Sequence, residues 1–268
     1  MNTMYKAMTI AGSDTSGGAG LEADLKTFQE LGIYGMTAVT CIVAQDPSNN
    51  WNHEIFPIEL STIEKQIKTI VEGIGIDAMK TGMLGSADLV ELVVQSIKKY
   101  SLKNVVIDPV MVCKGIDTIM VPEAAKAIKE SLVKYADVIT PNLLEAAYLA
   151  DMPKVVSLEE MKEAATKISD LGAKYVVIKA GDRLPGKDAI DIVYNGKEFK
   201  ITTSPKIENC YNHGAGCTFS AGITASLAKG MDIFAAVEAT QKFMHPALEN
   251  SFPLNKFSGA TKHCAWRL

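Results

Sequence analysis

Apolar positions in this chain follow two rhythms that alternate from end to end. Short unbroken runs, clearest in Val105-Val106-Ile107 and Tyr175-Val176-Val177-Ile178, suit strands covered on both faces. They predict strands at 8–11, 37–43, 78–80, 105–108, 138–140, 175–179 and 190–194. Between them, apolar residues recur at helical spacing, as in Leu158, Met161, Ala165 and Ile168. Ser157 and Glu160 ahead of that stripe have the spacing of a capping box. Helices are predicted at 20–31, 62–73, 87–99, 123–135, 158–171, 217–229 and 233–245, with Pro246 expected to kink or stop the last. Alternation of this kind predicts an α/β fold: a central, mostly parallel sheet with helices on both faces. The Asn195-Gly196 turn before 198–201 adds a late antiparallel hairpin. No repeat, low-complexity stretch or long linker breaks the pattern, so residues 1–268 read as one domain.

Composition narrows the function classes. A net charge of −4 without a dense basic cluster argues against a nucleic-acid partner. No apolar run has transmembrane length and no signal-peptide profile opens the chain, so neither a membrane nor export is expected. The five cysteines are odd in number and scattered, which fits reduced thiols in the cytoplasm better than a disulfide framework. No Cys-x-x-Cys or His-x-x-x-His spacing suggests zinc.

The most informative stretch is Asn212-His213-Gly214-Ala215-Gly216-Cys217-Thr218, which runs straight into an apolar helical pattern. A helix start leaves backbone N–H groups without partners and carries partial positive charge. Small residues there let an anion approach the backbone closely. Cys217 sits at the lip of that turn, where a helix N-terminus lowers a thiol pKa. An anion hole beside a base suggests group transfer at a phosphate or acyl centre.

Ligands of open α/β sheets bind beyond the carboxyl ends of the strands, and those ends are rich in small and oxygen-bearing residues. The first leads into Gly12-Ser13-Asp14-Thr15-Ser16-Gly17-Gly18-Ala19-Gly20, with Asp24 just inside the next helix. It is either a flexible connector or a ligand loop, and it is not a Walker A motif. The second leads to Gln45, whose amide suits either the edge of a heterocycle or solvent, and then to Trp51-Asn52-His53. Lys80-Thr81-Gly82-Met83 follows the third; nothing there lowers the lysine pKa, so Lys80 is expected in a salt bridge rather than a Schiff base. Asp108, before Pro109, is a candidate anchor for Mg²⁺ through water, or a loop cap. Asn142 suits a helix cap, and Glu145 beyond it can reach metal waters. Lys179-Ala180-Gly181-Asp182 ends the sixth strand, where a nucleotide would lie.

Together these segments resemble the ribokinase-like superfamily, and within it the pyridoxal kinase and hydroxymethylpyrimidine (phosphate) kinase group. The likeness is carried by Ala11-Gly12-Ser13-Asp14, Gly17-Gly18-Ala19-Gly20, Ala23-Asp24-Leu25-Lys26-Thr27-Phe28, Lys80-Thr81-Gly82-Met83-Leu84, Asp108-Pro109-Val110-Met111, Thr140-Pro141-Asn142-Leu143-Leu144-Glu145-Ala146 and Gly214-Ala215-Gly216-Cys217. It implies transfer of the ATP γ-phosphoryl to a hydroxymethyl group on a six-membered nitrogen heterocycle, in thiamine biosynthesis, vitamin B6 salvage or both. By position, the resemblance makes Cys217 the base and has the N–H groups of Ala215, Gly216 and Cys217, after Gly214, hold the moving phosphoryl. Gly12, Ala19, Asp24, Gln45, Met83 and Val110 would line the heterocycle pocket. Asn142, Lys179, Gly181 and Gly216 would serve ATP, and Asp108 and Glu145 the Mg²⁺.

Cys113 resembles the second cysteine of a pyridoxal kinase subgroup, where a lid thiol adds to the aldehyde, and the segment holding His53 is similar to that subgroup too. Gln45 instead resembles the hydroxymethylpyrimidine kinases. A homodimer is expected by analogy. Three features stand apart: Glu22 where glutamine is usual, expected to face solvent; Pro246 in a normally continuous helix; and Cys210 and Cys264, expected in the core. The readings left beside a vitamin kinase are a non-catalytic heterocycle binder and a sugar or nucleoside kinase of the same fold.

Overall fold

The computed structural model describes residues 4–112 and 119–268. Nine strands form the main sheet, in the order β3-β2-β1-β4-β5-β6-β7-β8-β9. Its central strands, β1 (Lys6–Asp14), β2 (Tyr34–Asp46), β4 (Ala78–Thr81), β5 (Val105–Ile107), β6 (Val138–Ile139) and β7 (Tyr175–Lys179), run parallel. β5, β6 and the middle of β7 are the unbroken apolar runs, buried because helices cover both sheet faces. The Asn195-Gly196 turn closes β8 (Asp188–Tyr194) onto β9 (Phe199–Pro205), antiparallel as predicted.

The opposite edge differs from expectation. β2 runs on through Gln45 to Asp46, and β3 (Asn52–Pro57) folds back antiparallel along it. Gln45 and His53 are therefore not loop residues: they stand directly opposite each other on one face of a ribbon. β3 is exposed along its length and its only apolar stretch, Ile55-Phe56 ahead of Pro57, is too short for periodicity to reveal it.

Helices α1 (Gly20–Glu30), α2 (Leu60–Gly73), α3 (Ala87–Tyr100), α4 (Pro122–Ala127), α5 (Leu143–Leu149), α6 (Leu158–Asp170), α7 (Ala215–Ala228) and α8 (Ile233–Glu249) complete the layers. The stretch predicted at 123–135 is helical throughout, but passes from α4 into a π turn and a 3₁₀ turn ending at Tyr135. Ser157 caps α6 through the Glu160 N–H, while the Glu160 carboxylate bonds the Val156 N–H.

Of the two outcomes expected at Pro246, a stop is not found: α8 continues through it to Glu249. Proline removes one intrahelical bond, to the carbonyl of exposed Lys242. Burial of Phe243, Met244 and Ala247 on the inner face holds the helix together across the gap. Helix α7 is buried from Thr218 to Ala228, packed between the central strands on one side and α1 and α8 on the other. That placement aims its N-terminus at the carboxyl ends of β1, β4 and β5. The segment after α8 forms a short ladder, β10 (Phe252–Pro253) with β11 (Gly259–Ala260), and returns across the start of α7. Cys210 and Cys264 are half-buried rather than core.

Candidate active site

The turn before α7 is built on a backbone that only glycine accepts. Gly214 has φ +81°, and a Cβ there would lie 1.8 Å from the Gly18 carbonyl oxygen. The turn is thereby pressed against the loop after β1. Thr218 N–H closes the first helical bond to Gly214 O at 2.8 Å. The Ala215 N–H already donates to Asn212 O at 3.1 Å, so Ala215 is not an anion donor as expected. Gly216 and Cys217 keep N–H groups with no acceptor among the described residues, and an anion would meet these two.

Cys217 corrects a second expectation. Burial pushes its thiol up to about 12, against the lowering charge of Lys80 and a bond from the Gly20 backbone, while Asp24 and Asp108 push it further up. The resting group is the neutral thiol.

Beneath it lies a buried charge cluster. Lys80, at the end of β4, has Nζ 3.0 Å from Asp24 Oδ2 and 4.0 Å from Asp108 Oδ2. This is the salt bridge the sequence suggested, and burial, which alone would strip the proton, is overcome by the surrounding negative charge. Asp24 also accepts from Thr9 Oγ1 at 2.6 Å and is fully enclosed. It therefore does not line a pocket; it sets the charge under one.

Asp108 joins three elements. Its Oδ1 is 3.3 Å from Lys179 Nζ on β7, and its Oδ2 accepts from Ser220 Oγ on α7 at 2.9 Å. Ser220 was not singled out in the sequence; in an apolar helix, a hydroxyl one turn after Cys217 was the only signal. Lys179 also sits against Gly216, where a Cβ would be 3.7 Å from its Nζ. Gly181 follows on the exposed loop beyond β7 with φ +56°.

Asn142 and Glu145 form a complete capping box on α5. Asn142 Oδ1 accepts the Leu144 and Glu145 N–H groups, so its amide nitrogen is the part left for a ligand. Glu145 accepts from Asn142 N at 2.9 Å and Met111 N at 3.3 Å. Burial, then the charge of Asp108, pushes it up to about 7, with Lys179 opposing. Two buried carboxylates that repel each other suit a dication approached through water. Among the described residues no group of three or more His, Cys, Asp or Glu forms a direct metal cage.

On the heterocycle side, Asp14 organises the loop. It accepts from Gln45 Nε2 at 2.7 Å, Ala19 N at 2.8 Å and Ser16 N at 2.9 Å, and pairs with His213 Nε2 at 2.7 Å. Burial works against its charge, but the bonds from His213, Ser16 and Gln45 and the charge of His213 hold its carboxyl well below the usual range. Glu22 does not face solvent as expected; it accepts from Ser13 Oγ at 2.6 Å and Asp14 N at 2.7 Å. Gly12 packs against Cys41 and Met83: a Cβ on it would lie 2.7 Å from Cys41 Sγ and 3.3 Å from Met83 Cε. Val110 is half-buried just after β5, and His53 is exposed on the ribbon across from Gln45. Cys113 lies outside the described residues.

Sheet order, strand-end site and helix-borne anion turn together define the ribokinase-like class of small-molecule kinases. Residues 14–262 match the profile of the phosphomethylpyrimidine kinase family, and the chain belongs to that family. It is 54% identical over 266 residues to the pyridoxine kinase of Bacillus subtilis, covering 99% of this chain and 98% of that one. The hydroxymethylpyrimidine/phosphomethylpyrimidine kinase of the same organism is 40% identical over 265 residues, covering 99% and 97%. The crystal structure of an ADP complex of B. subtilis pyridoxal kinase superposes with a TM-score of 0.96 at 55% identity, covering 99% of this chain and all of that one.

Proposed function

We propose that this protein transfers the γ-phosphoryl of ATP to the hydroxymethyl group of a six-membered nitrogen heterocycle, with vitamin B6 forms such as pyridoxine and pyridoxal as the first substrates. The observation that carries this is the pair of unpartnered Gly216 and Cys217 N–H groups, flanked by Lys179 on one side and the Asp14-organised loop on the other. The 54% identity to a pyridoxine kinase supports the substrate class.

In this reading the two N–H groups hold the phosphoryl as charge spreads over its oxygens. Lys179 neutralises phosphate charge from the other side, and the Asn142 amide and Gly181 backbone border the nucleotide. Asp108 and Glu145 would hold Mg²⁺ through its waters; when bound, the ion supplies charge neutralisation to the phosphates. Gly12, Ala19, Gln45, His53, Met83 and Val110 surround the heterocycle, with Asp24 acting on the site through Lys80. The thiolate form of Cys217 accepts the substrate hydroxyl proton late in the step and becomes the thiol as the alcohol oxygen bonds phosphorus and ADP leaves.

A second substrate has its own support. Gln45 commits its amide N–H to Asp14, which leaves Oε1 to accept from an amino group, as on an aminopyrimidine. Hydroxymethylpyrimidine is thus an alternative acceptor. The exposed apolar Ile42, Ile55 and Phe56 on the β2–β3 ribbon support a homodimer. We place the single-domain protein in the cytoplasm, where ATP is at hand and thiols stay reduced.

The test is competition: pyridoxal, pyridoxine and hydroxymethylpyrimidine are offered together with Mg-ATP, and ADP release and each phosphorylated product are followed. Phosphorylation of at least one, with ribose and adenosine inert, is expected. Heterocycle binding without ADP release would show a binder instead.

A further inference from the structure

The C-terminal segment crosses the start of α7 and bonds to it at two levels. His213 N–H donates to Gly259 O at 3.3 Å, just before the turn. Within the turn, His263 Nε2 lies 2.9 Å from Thr218 Oγ1, and that hydroxyl is 2.8 Å from Gly214 O. Thr218 is completely buried and His263 is 6% exposed. The tail is anchored on either side of this contact: Lys262 N–H donates to Ala247 O on α8 at 2.9 Å, and Arg267 and Trp266 bind Glu30 on α1. A buried ring nitrogen, held by an anchored strap, therefore grips the hydroxyl of the residue next to Cys217. The other partner of that hydroxyl is the carbonyl of Gly214.

We propose that His263 is a positioning residue for phosphoryl transfer, fixing through Thr218 the orientation of the Gly216 and Cys217 N–H groups. This rests on the kinase reading above. The physical requirement is strict, because a group about 1 Å out of place costs on the order of 100-fold in rate. Thr218 alone does not meet it: a helix-start hydroxyl bonded only to its own turn moves with that turn. His263 ties the turn, through the tail's bonds to Ala247 and Glu30, to α8 and α1 as well. The ring also borders a cavity of about 620 Å³ between α1 and the tail, so a changed side chain has room.

The experiment compares His263→Phe, Thr218→Val, their double variant and His263→Gln, which keeps a side-chain hydrogen-bonding group. The full-length protein is used, with steady-state kinetics and amide hydrogen exchange. Expected are a kcat at least about tenfold lower in each of the first two, a heterocycle KM within about twofold, and a double variant no worse than either single one. His263→Gln recovers most of the rate. Exchange quickens at residues 214–219 and stays unchanged in β1 and β4. Unchanged kcat in both single variants, additive losses, or faster exchange spread over the whole sheet would overturn the proposal. If the unmodified protein phosphorylates no heterocycle, the kinase reading fails by itself, and the exchange at 214–219 still decides whether His263 holds the turn.

Discussion

Lys80 Nζ stands 3.0 Å from Asp24 Oδ2, and neither side chain is exposed to solvent. The pair ties α1 to β4 directly under Cys217. Lys80→Met leaves the Asp24 carboxylate buried without its counter-charge and is expected to lower stability by about 3–5 kcal/mol, whereas Asp24→Asn leaves Lys80 the more distant Asp108 at 4.0 Å and is expected to cost less. The double change Asp24→Asn with Lys80→Met is expected to cost less than the sum of the two. Urea unfolding of all four proteins measures this; additive losses would show that the two side chains are not coupled.

Gly214→Ala places a methyl group against the Gly18 carbonyl and forces an alanine to φ +81°. A cost of roughly 1–3 kcal/mol is expected, with turnover down on the order of 100-fold because the N–H pair is displaced. Gly230 has the same φ but open space around it, which makes Gly230→Ala the control. It should share the backbone strain and keep normal turnover.

Cys217 rests as a neutral thiol, with burial pushing it up to about 12, so the thiolate that acts as base is the minor form. If it takes the substrate proton as thiolate, the competent fraction grows about tenfold per pH unit below that value. The logarithm of kcat should then rise with pH between 7 and 9 in the unmodified protein, for as long as chemistry limits the rate. It should be flat in Cys217→Ala, at a level lower by on the order of 10²–10⁴. A flat profile in the unmodified protein, with single-turnover kinetics showing chemistry to be limiting, removes the base role and leaves Cys217 as an N–H donor.

His263 makes stability depend on pH. Burial, with help from Lys26, lowers its pKa from 6.5 to about 4, while Glu30 and a bond to the Thr261 backbone oppose this. The unfolded chain takes up the proton below about 6.5 and the folded one only below about 4. Between those values the unfolded state binds more protons, so stability is full above 6.5 and falls as pH drops toward 4. Thermal unfolding from pH 7 to pH 4 should show a difference of about 3 kcal/mol building up between the native protein and His263→Gln. A constant difference across that range would mean that the histidine is not held neutral.

Runs such as Val105-Val106-Ile107 and helical stripes such as Leu158 to Ile168 decided the parallel sheet and its helices, because burial on two faces or one leaves a direct trace in residue order. Short-range chemistry left an equally direct trace. The small residues before Cys217 marked a helix start, and Asn142 marked a cap, since both depend on neighbours within four residues. β3 left none, because it is exposed on both faces and is held by its pairing with β2 rather than by a core. What only the tertiary structure decided is the electrostatic state of the site. A helix N-terminus read locally lowers the Cys217 pKa, whereas the burial created by α1, β4 and α7 raises it. Asp24, Lys80, Asp108 and Ser220 are far apart in the chain, and their meeting, like the grip of His263 on Thr218, exists only once the sheet has brought its strand ends together. Charge and solvation act through space, so their outcome is set by packing that no local pattern encodes.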